Sequence, residues 1–116
     1  MAATQTNYNN KVEIFQRNTH ELFCAIYDSS DNLMDINGYT ADLYARRYGD
    51  ETIGDPDISV SGTLVDASNG AVLFPFSTTD TSVAVDDYTY EVIITGSGNQ
   101  ITVLQDRLSI LNSVKY

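Results

Sequence analysis

The sequence predicts an all-β, immunoglobulin-like antiparallel β-sandwich of about seven strands, and three observations support this fold class. About seven short runs alternate apolar and polar residues in steps of two, the period of a strand with one buried face. Clusters of Gly, Asn, Asp and Ser separate these runs about every eight to twelve residues. No helical period of apolar residues continues for long enough to predict an extended helix. A small closed barrel is the alternative architecture.

The first half of the chain supplies three of the predicted strands. They are "KVEIFQ" (11–16), "HELFCAIYD" (20–28) and "YTADLYARR" (39–47). In the second strand, His20 shares one face with Leu22, Cys24 and Ile26. Turn formers fill the segment between residues 29 and 38, and a charged loop follows the third strand.

The second half supplies the other four strands. They are "ISVSGTLVD" (58–66), "AVLFPF" (71–76), "YTYEVIIT" (88–95) and "ITVLQDRLSIL" (101–111). The apolar phase of the last strand slips near Gln105 and Asp106, which predicts a β-bulge there. Between residues 77 and 87 we expect one helical turn, capped by Ser77 or Thr78.

The inward phase of these strands predicts the core and the limits of the domain. The predicted core residues are Leu22, Cys24, Ile26, Leu43, Val72, Phe74, Tyr90 and Val92. The chain has 116 residues, enough for one domain, and we expect the sandwich to span residues 11–111. A C-terminal tail of residues 112–116 follows it.

Residues 1–10 form a polar segment without apolar periodicity. A segment that cannot bury apolar surface is expected to be flexible alone. We therefore expect an N-terminal arm that becomes ordered against a partner, with Tyr8, Asn9 and Asn10 as its partner-binding residues.

Charge and composition exclude several classes of partner. The chain has 16 acidic and 6 basic residues, a net charge of −10 at pH 7, so it would repel the phosphates of nucleic acid. No apolar run is long enough to span a bilayer, and the first residues do not resemble a secretory signal, so no membrane partner is expected. The one cysteine, Cys24, has no partner for an intrachain disulfide.

The chemically reactive residues favour a non-enzymatic protein. His20 and Cys24 lie on the core-facing phase of one strand, where a packing role is expected. "GSGNQI" (96–101) lacks the third glycine and the helix of a dinucleotide-binding loop. We expect no catalytic residue, no cofactor and no small-molecule substrate. The acids of "DSSDNLMD" (28–35) and "GDPD" (54–57) are typical of turns, and a structural calcium site in these loops is the open alternative.

Two sets of exposed residues are candidates for partner binding. The first combines tyrosine and arginine, residue types enriched at binding hot spots, at the end of the third strand. It consists of Tyr44, Arg46, Arg47 and Tyr48. The alternative is that these arginines only form local ion pairs, with Asp42, Asp50 or Glu51.

The second set is apolar. Phe23, Tyr27 and Leu73 lie on the outward phase of two strands that are neighbours in an immunoglobulin-like topology. The alternative is that the protein's own N-terminal arm or a loop covers this face.

Five stretches resemble a known family. They are "THELFCAIYDSSDN" (19–32), "DINGYTADLYARR" (35–47), "SNGAVLFPFSTTDT" (68–81), "DDYTYEVIIT" (86–95) and "NQITVLQDRLSI" (99–110). Together they resemble the immunoglobulin-like domain at the N-terminus of the baseplate upper protein of lactococcal phages, which also occurs in many small tailed-phage virion proteins. The chain departs from that pattern at Asp106, where the family often has glycine.

The resemblance implies a non-enzymatic structural protein of a tailed bacteriophage. Such a protein would be made in the host cytoplasm and become part of the virion, as a capsid decoration protein or a small neck, tail or baseplate component. Its partners would be other virion structural proteins or further copies of itself. The alternative function is a carbohydrate-binding module for attachment to the host surface.

Overall fold

The computed structural model describes the backbone of Ala3 and Thr4, and residues 11–49 and 55–114. These residues form ten strands and one short 3-10 turn, Ala67–Asn69. The strands are β1 (Ala3–Thr4), β2 (Val12–Phe15), β3 (His20–Ala25), β4 (Tyr27–Asp28), β5 (Thr40–Arg47), β6 (Ile58–Ser61), β7 (Thr63–Asp66), β8 (Ala71–Phe76), β9 (Asp86–Gly96) and β10 (Asn99–Leu111).

Two sheets make up the sandwich and confirm the predicted immunoglobulin-like fold class. The large sheet has the strand order β2-β10-β9-β5-β6, and the small sheet has the order β3-β8-β7. Strands β1 and β4 form a separate short pair. Among the described residues no helix is long and apolar enough to cross a membrane.

One pair of strands in the sandwich is parallel, whereas the other pairs are antiparallel as predicted. Strand β2 runs parallel to β10, with Val12 opposite Leu108. After β2 the chain turns and crosses to the small sheet, so no hairpin connects β2 to its neighbour and forces an antiparallel direction.

Alternation along the strands produces the core, as predicted. Of the eight predicted core residues, all but Leu22 and Cys24 are buried, and these two are half-buried against the core. Phe23 is 66% exposed, which confirms the predicted register of β3.

Gly62 marks the point where the chain crosses from one sheet to the other. Strand β6 pairs with β5 in the large sheet, and β7, which begins one residue after Gly62, pairs with β8 in the small sheet. A Cβ atom on Gly62 would lie 2.7 Å from the Phe74 ring and 2.8 Å from Val72. The crossing therefore depends on the absence of a side chain.

The predicted bulge is present at a different position. The pairing of β10 with β9 shifts between Thr102 and Leu104, so the extra residue is Val103 and not Gln105 or Asp106. Val103 and Leu104 are both buried. The bulge therefore places two consecutive apolar side chains in the interior, which simple alternation does not allow.

The predicted helical turn is present after β8. The Ser77 hydroxyl accepts a hydrogen bond from the Asp80 backbone N–H at 3.1 Å, and the Asp80 carboxylate accepts one from the Ser77 N–H at 2.8 Å. The buried Thr81 hydroxyl donates to the Asn18 carbonyl at 2.8 Å, which connects this turn to the loop between β2 and β3.

Part of the predicted N-terminal arm lies against the domain itself. Ala3 pairs with Asp28 and Thr4 pairs with Tyr27. Tyr8, Asn9 and Asn10 lie outside the described residues, so their role in partner binding stays a prediction.

Candidate functional site

The main candidate site is a groove on the outer face of the large sheet, with a volume of about 560 Å³. We call it the Tyr–Arg groove. Its lining residues are Tyr44, Arg46, Arg47, Tyr48, Gly49, Thr89, Tyr90, Glu91 and Gln105. The structure therefore brings together all four residues of the predicted tyrosine and arginine set, around one groove.

Strand pairing places the groove's side chains in two rows across three strands. In one row Tyr44, Glu91 and Gln105 lie side by side on β5, β9 and β10. In the next row Arg46 and Arg107 flank Thr89. All of these residues have the outward phase, because the residues that precede Tyr44 and Arg46 on β5, Leu43 and Ala45, are buried.

Arg107 completes the site and was not predicted from the sequence. Its guanidinium carbon lies 4.0 Å from the centre of the Tyr48 ring, a cation–π contact. Tyr48 is 58% exposed, and the backbone N–H of Tyr48 donates a hydrogen bond to the Asp87 carbonyl at 2.8 Å. The outward phase of Arg107 was visible in the sequence, but its proximity to Tyr48 depends on β9 lying between β5 and β10.

Arg46 and Arg47 point in different directions. The Arg46 guanidinium donates to the Asp55 carbonyl at 3.5 Å, on the groove side. Arg47 has the core-facing phase at the end of β5, opposite Tyr88. A hydrogen bond to the Tyr88 hydroxyl raises the pKa of Arg47.

The local ion pair of Arg47 differs from the predicted ones. Its Nε atom lies 3.5 Å from the Asp86 carboxylate, and its backbone N–H donates to Asp57 at 3.0 Å. Both side chains of the ion pair are 51% exposed, so the pair contributes little to stability. The predicted partners Asp50 and Glu51 lie outside the described residues.

The second predicted surface is also formed, on the outer side of the small sheet. We call it the apolar face. Its residues are Phe23, Ala25, Val65, Ala71, Leu73 and Pro75. Phe23 lies directly opposite Leu73, as the predicted strand order requires. Tyr27 is half-buried in β4, which pairs with β1 and not with β8, so it does not belong to this face.

The two residues considered for catalysis, His20 and Cys24, are both half-buried. Burial raises the pKa of the half-buried Cys24 thiol to about 11, so the thiol is protonated at neutral pH. His20 is half-buried and contacts Phe76 edge-on, with 6.2 Å between the ring centres. The pKa of Tyr90 is raised as well, mainly by burial and also by the nearby Cys24 and Asp106 side chains.

The acids of the loop after β4 hold turns together. The buried Asp28 carboxylate accepts hydrogen bonds from the backbone N–H groups of Ser30 and Asn32, at 2.8 and 3.1 Å. Asp35 accepts one from the Asn37 backbone at 3.0 Å. Within residues 11–49 and 55–114, no three His, Cys, Asp or Glu side chains are grouped so that they could hold a metal ion.

Comparison with known proteins shows similarity of fold alone. No protein-family model and no curated protein matches the sequence. Among solved structures, the endo-beta-1,4-mannanase from Thermotoga petrophila aligns with 97% of this chain at 12% identity and a TM-score of 0.52. The alignment covers 20% of the mannanase, so this chain spans about a fifth of that enzyme's length.

A second solved structure, the Lin-41 filamin domain, aligns over 90% of this chain and 88% of its own length. Its identity is 14% and its TM-score is 0.48. Neither structure is described as a phage protein, so the resemblance to the baseplate domain stays a prediction.

Proposed function

We propose that this protein is a non-enzymatic docking module that binds another protein through the Tyr–Arg groove. The observation that carries the proposal is the convergence of two tyrosines and three arginines from β5, the turn after it, and β10. Tyr and Arg are the side chains most often found at binding hot spots, because they combine large contact area with directional hydrogen bonds.

The setting we propose is the virion of a tailed bacteriophage, and the sequence resemblance supports it. In that setting the module docks onto other virion subunits, as a capsid decoration protein or as a small baseplate or neck component. The protonated Cys24 thiol and the packed His20 ring agree with a role in architecture rather than catalysis.

A carbohydrate-binding module is the second candidate function. The specific observation in its favour is that Tyr44 and Tyr48 border the same groove as Glu91 and Gln105, whose side chains can hydrogen-bond to sugar hydroxyls. Against it, the Arg107 guanidinium already covers one face of the Tyr48 ring at 4.0 Å. A ring with an occupied face offers less stacking surface to a sugar.

The test measures incorporation of variants into particles by quantitative mass spectrometry. The double variant Tyr44→Ala, Arg46→Ala should fold normally and be depleted from purified particles, whereas the matched variant Phe23→Ala, on the apolar face, should be incorporated at the wild-type level. Depletion of the Phe23 variant alone would show that the interface lies on the apolar face and not in the Tyr–Arg groove. A glycan array should show no selective binding by the wild-type protein, and selective binding lost in Tyr44→Ala would favour the second candidate.

A further inference from the structure

The arrangement of Arg46 and Arg107 defines the chemistry that the Tyr–Arg groove can bind. Both residues pair with Thr89, one from each neighbouring strand. Adjacent strands lie about 4.8 Å apart, so the two arginine backbones are separated by about 10 Å, with the short side chain of Thr89 between them. Arginine side chains are long enough to reach a group placed above Thr89, and Arg46 would then exchange its 3.5 Å hydrogen bond to the Asp55 carbonyl for that group.

The Arg107 guanidinium is oriented by its contact with the Tyr48 ring. The contact places the guanidinium carbon 4.0 Å from the ring centre and leaves the guanidinium N–H groups that face away from the ring able to donate. Over the described parts of the chain, no ion pair is found for the Arg107 side chain. Its neighbour Asp106 instead accepts a hydrogen bond from the Arg107 backbone N–H, at 2.7 Å.

The charge of the whole chain restricts which partner can use this site. Three of the six basic residues, Arg46, Arg47 and Arg107, gather at this end of the large sheet in a protein of net charge −10. Because Asp86 already pairs with Arg47, the attraction of an acidic partner at this end comes mainly from Arg46 and Arg107, and it favours one orientation of approach. In the adjacent row, Glu91 disfavours a second carboxylate beside Tyr44.

We propose that the Tyr–Arg groove binds a carboxylate side chain from an acidic segment of the partner protein, held above Thr89 between the guanidinium groups of Arg46 and Arg107. This inference rests on the proposed docking function and adds the chemical class of the partner. The planar fork of arginine matches the two oxygens of a carboxylate, and such charge-assisted pairs are stronger than neutral hydrogen bonds.

The test titrates the full-length protein with a short poly-glutamate peptide, using poly-glutamine as the uncharged control. The side-chain Nε–H signals of the arginines are followed by NMR. We expect poly-glutamate, and not poly-glutamine, to shift the Arg46 and Arg107 signals. R46Q and R107Q should each weaken binding about three- to tenfold, and R107K should weaken it less than R107Q because it keeps the charge but loses the fork.

The matched control is R17Q, which removes one positive charge from the exposed turn after β2. It should leave the affinity within about twofold of the wild type, because exposed charges beyond a Debye length are screened. Equal weakening by R17Q and R107Q would show non-specific attraction and overturn the proposal. Tighter binding of inorganic sulfate or heparin than of poly-glutamate, at the same two arginines, would also overturn it.

Particle incorporation separates failure of this inference from failure of the docking function. Normal incorporation of the R46Q, R107Q double variant, together with depletion of Tyr44→Ala, Tyr48→Ala, would reject the carboxylate chemistry and keep the docking function. Normal incorporation of both double variants would reject both.

Discussion

The outer faces of the two sheets are built by the same alternation of residues, yet they offer different kinds of surface. On the large sheet, Arg46 and Arg107 flank Thr89, and Tyr48 fixes the guanidinium of Arg107. On the small sheet, the apolar face presents Phe23 opposite Leu73, and the polar side chains beside them, Glu21 and Thr63, carry no positive charge. Alternation therefore decides which residues face solvent, whereas side-chain chemistry decides whether that face can select a partner. Specific recognition is expected from the large sheet, and non-directional contact from the small one.

The largest expected effect on stability comes from a substitution at Gly62, where the chain crosses from the large sheet to the small sheet. Gly62→Val should destabilise the domain by about 3 kcal/mol or more, because its side chain would overlap Phe74 and Val72 in the core. Urea unfolding followed by far-UV circular dichroism measures this. The adjacent exposed variant Ser61→Ala should change the stability by less than about 0.5 kcal/mol. Wild-type stability of Gly62→Val would mean that the sheets can separate at this corner without cost.

A smaller effect is expected from pH, because Cys24 of the small sheet and Tyr90 of the large sheet both have raised pKa values in the fold. For Cys24 the pKa rises from 9.0 to about 11, so its contribution is fully present below pH 9 and is lost as the pH rises towards 11. At about 1.4 kcal/mol per pKa unit, the loss amounts to about 3 kcal/mol at most. The melting temperature of the wild type should fall between pH 9 and 11, and Cys24→Ala should show a shallower fall. Parallel pH profiles of the two proteins would contradict the assignment to Cys24.

The contact between Tyr48 and Arg107 should contribute less to stability than to binding. Tyr48→Ala removes an exposed cation–π contact and should lower the free energy of unfolding by about 0.5–1 kcal/mol. Tyr48→Phe keeps the ring and should remain close to the wild type, as chemical denaturation would show. A loss in Tyr48→Phe equal to that in Tyr48→Ala would assign the effect to the hydroxyl group instead.

The smallest effect on stability is expected at the apolar face. Because Phe23 is 66% exposed, Phe23→Ser should change the unfolding free energy by less than about 1 kcal/mol. It should nevertheless reduce the binding of a hydrophobic dye to the native protein, measured by fluorescence. A large loss of stability would show that Phe23 is covered in solution.

The sequence predicted what depends on residues close to one another along a strand. Leu43, Phe74 and Val92 are buried as their alternation indicated, and Phe23 is exposed. It did not predict that the run 58–66 divides at Gly62 between two sheets, because a glycine in an alternating run does not interrupt the apolar period. The slip of phase in the last strand indicated a bulge. It did not indicate the location at Val103, because the position of the extra residue depends on the pairing with β9.

Much of the candidate site could be predicted for the same reason. Tyr44, Arg46, Arg47 and Tyr48 are adjacent in the chain, so their gathering required no knowledge of strand order. Arg107 lies far away in the sequence and reaches Tyr48 only through the pairing of β9 with both β5 and β10. Arg47 meets Asp86 across strands in the same way.

The parallel pairing of β2 with β10 has a consequence for how the chain folds during its synthesis. Leu108 is made 96 residues after its neighbour Val12, so β2 cannot pair with β10 before most of the sandwich has been translated. Until then β2 has no neighbouring strand in the large sheet with which to pair. Its apolar side chains stay exposed to other nascent chains. Contacts this distant in sequence also slow folding. We therefore expect this edge of the large sheet to be completed late in folding, when β10 becomes available to pair with β2.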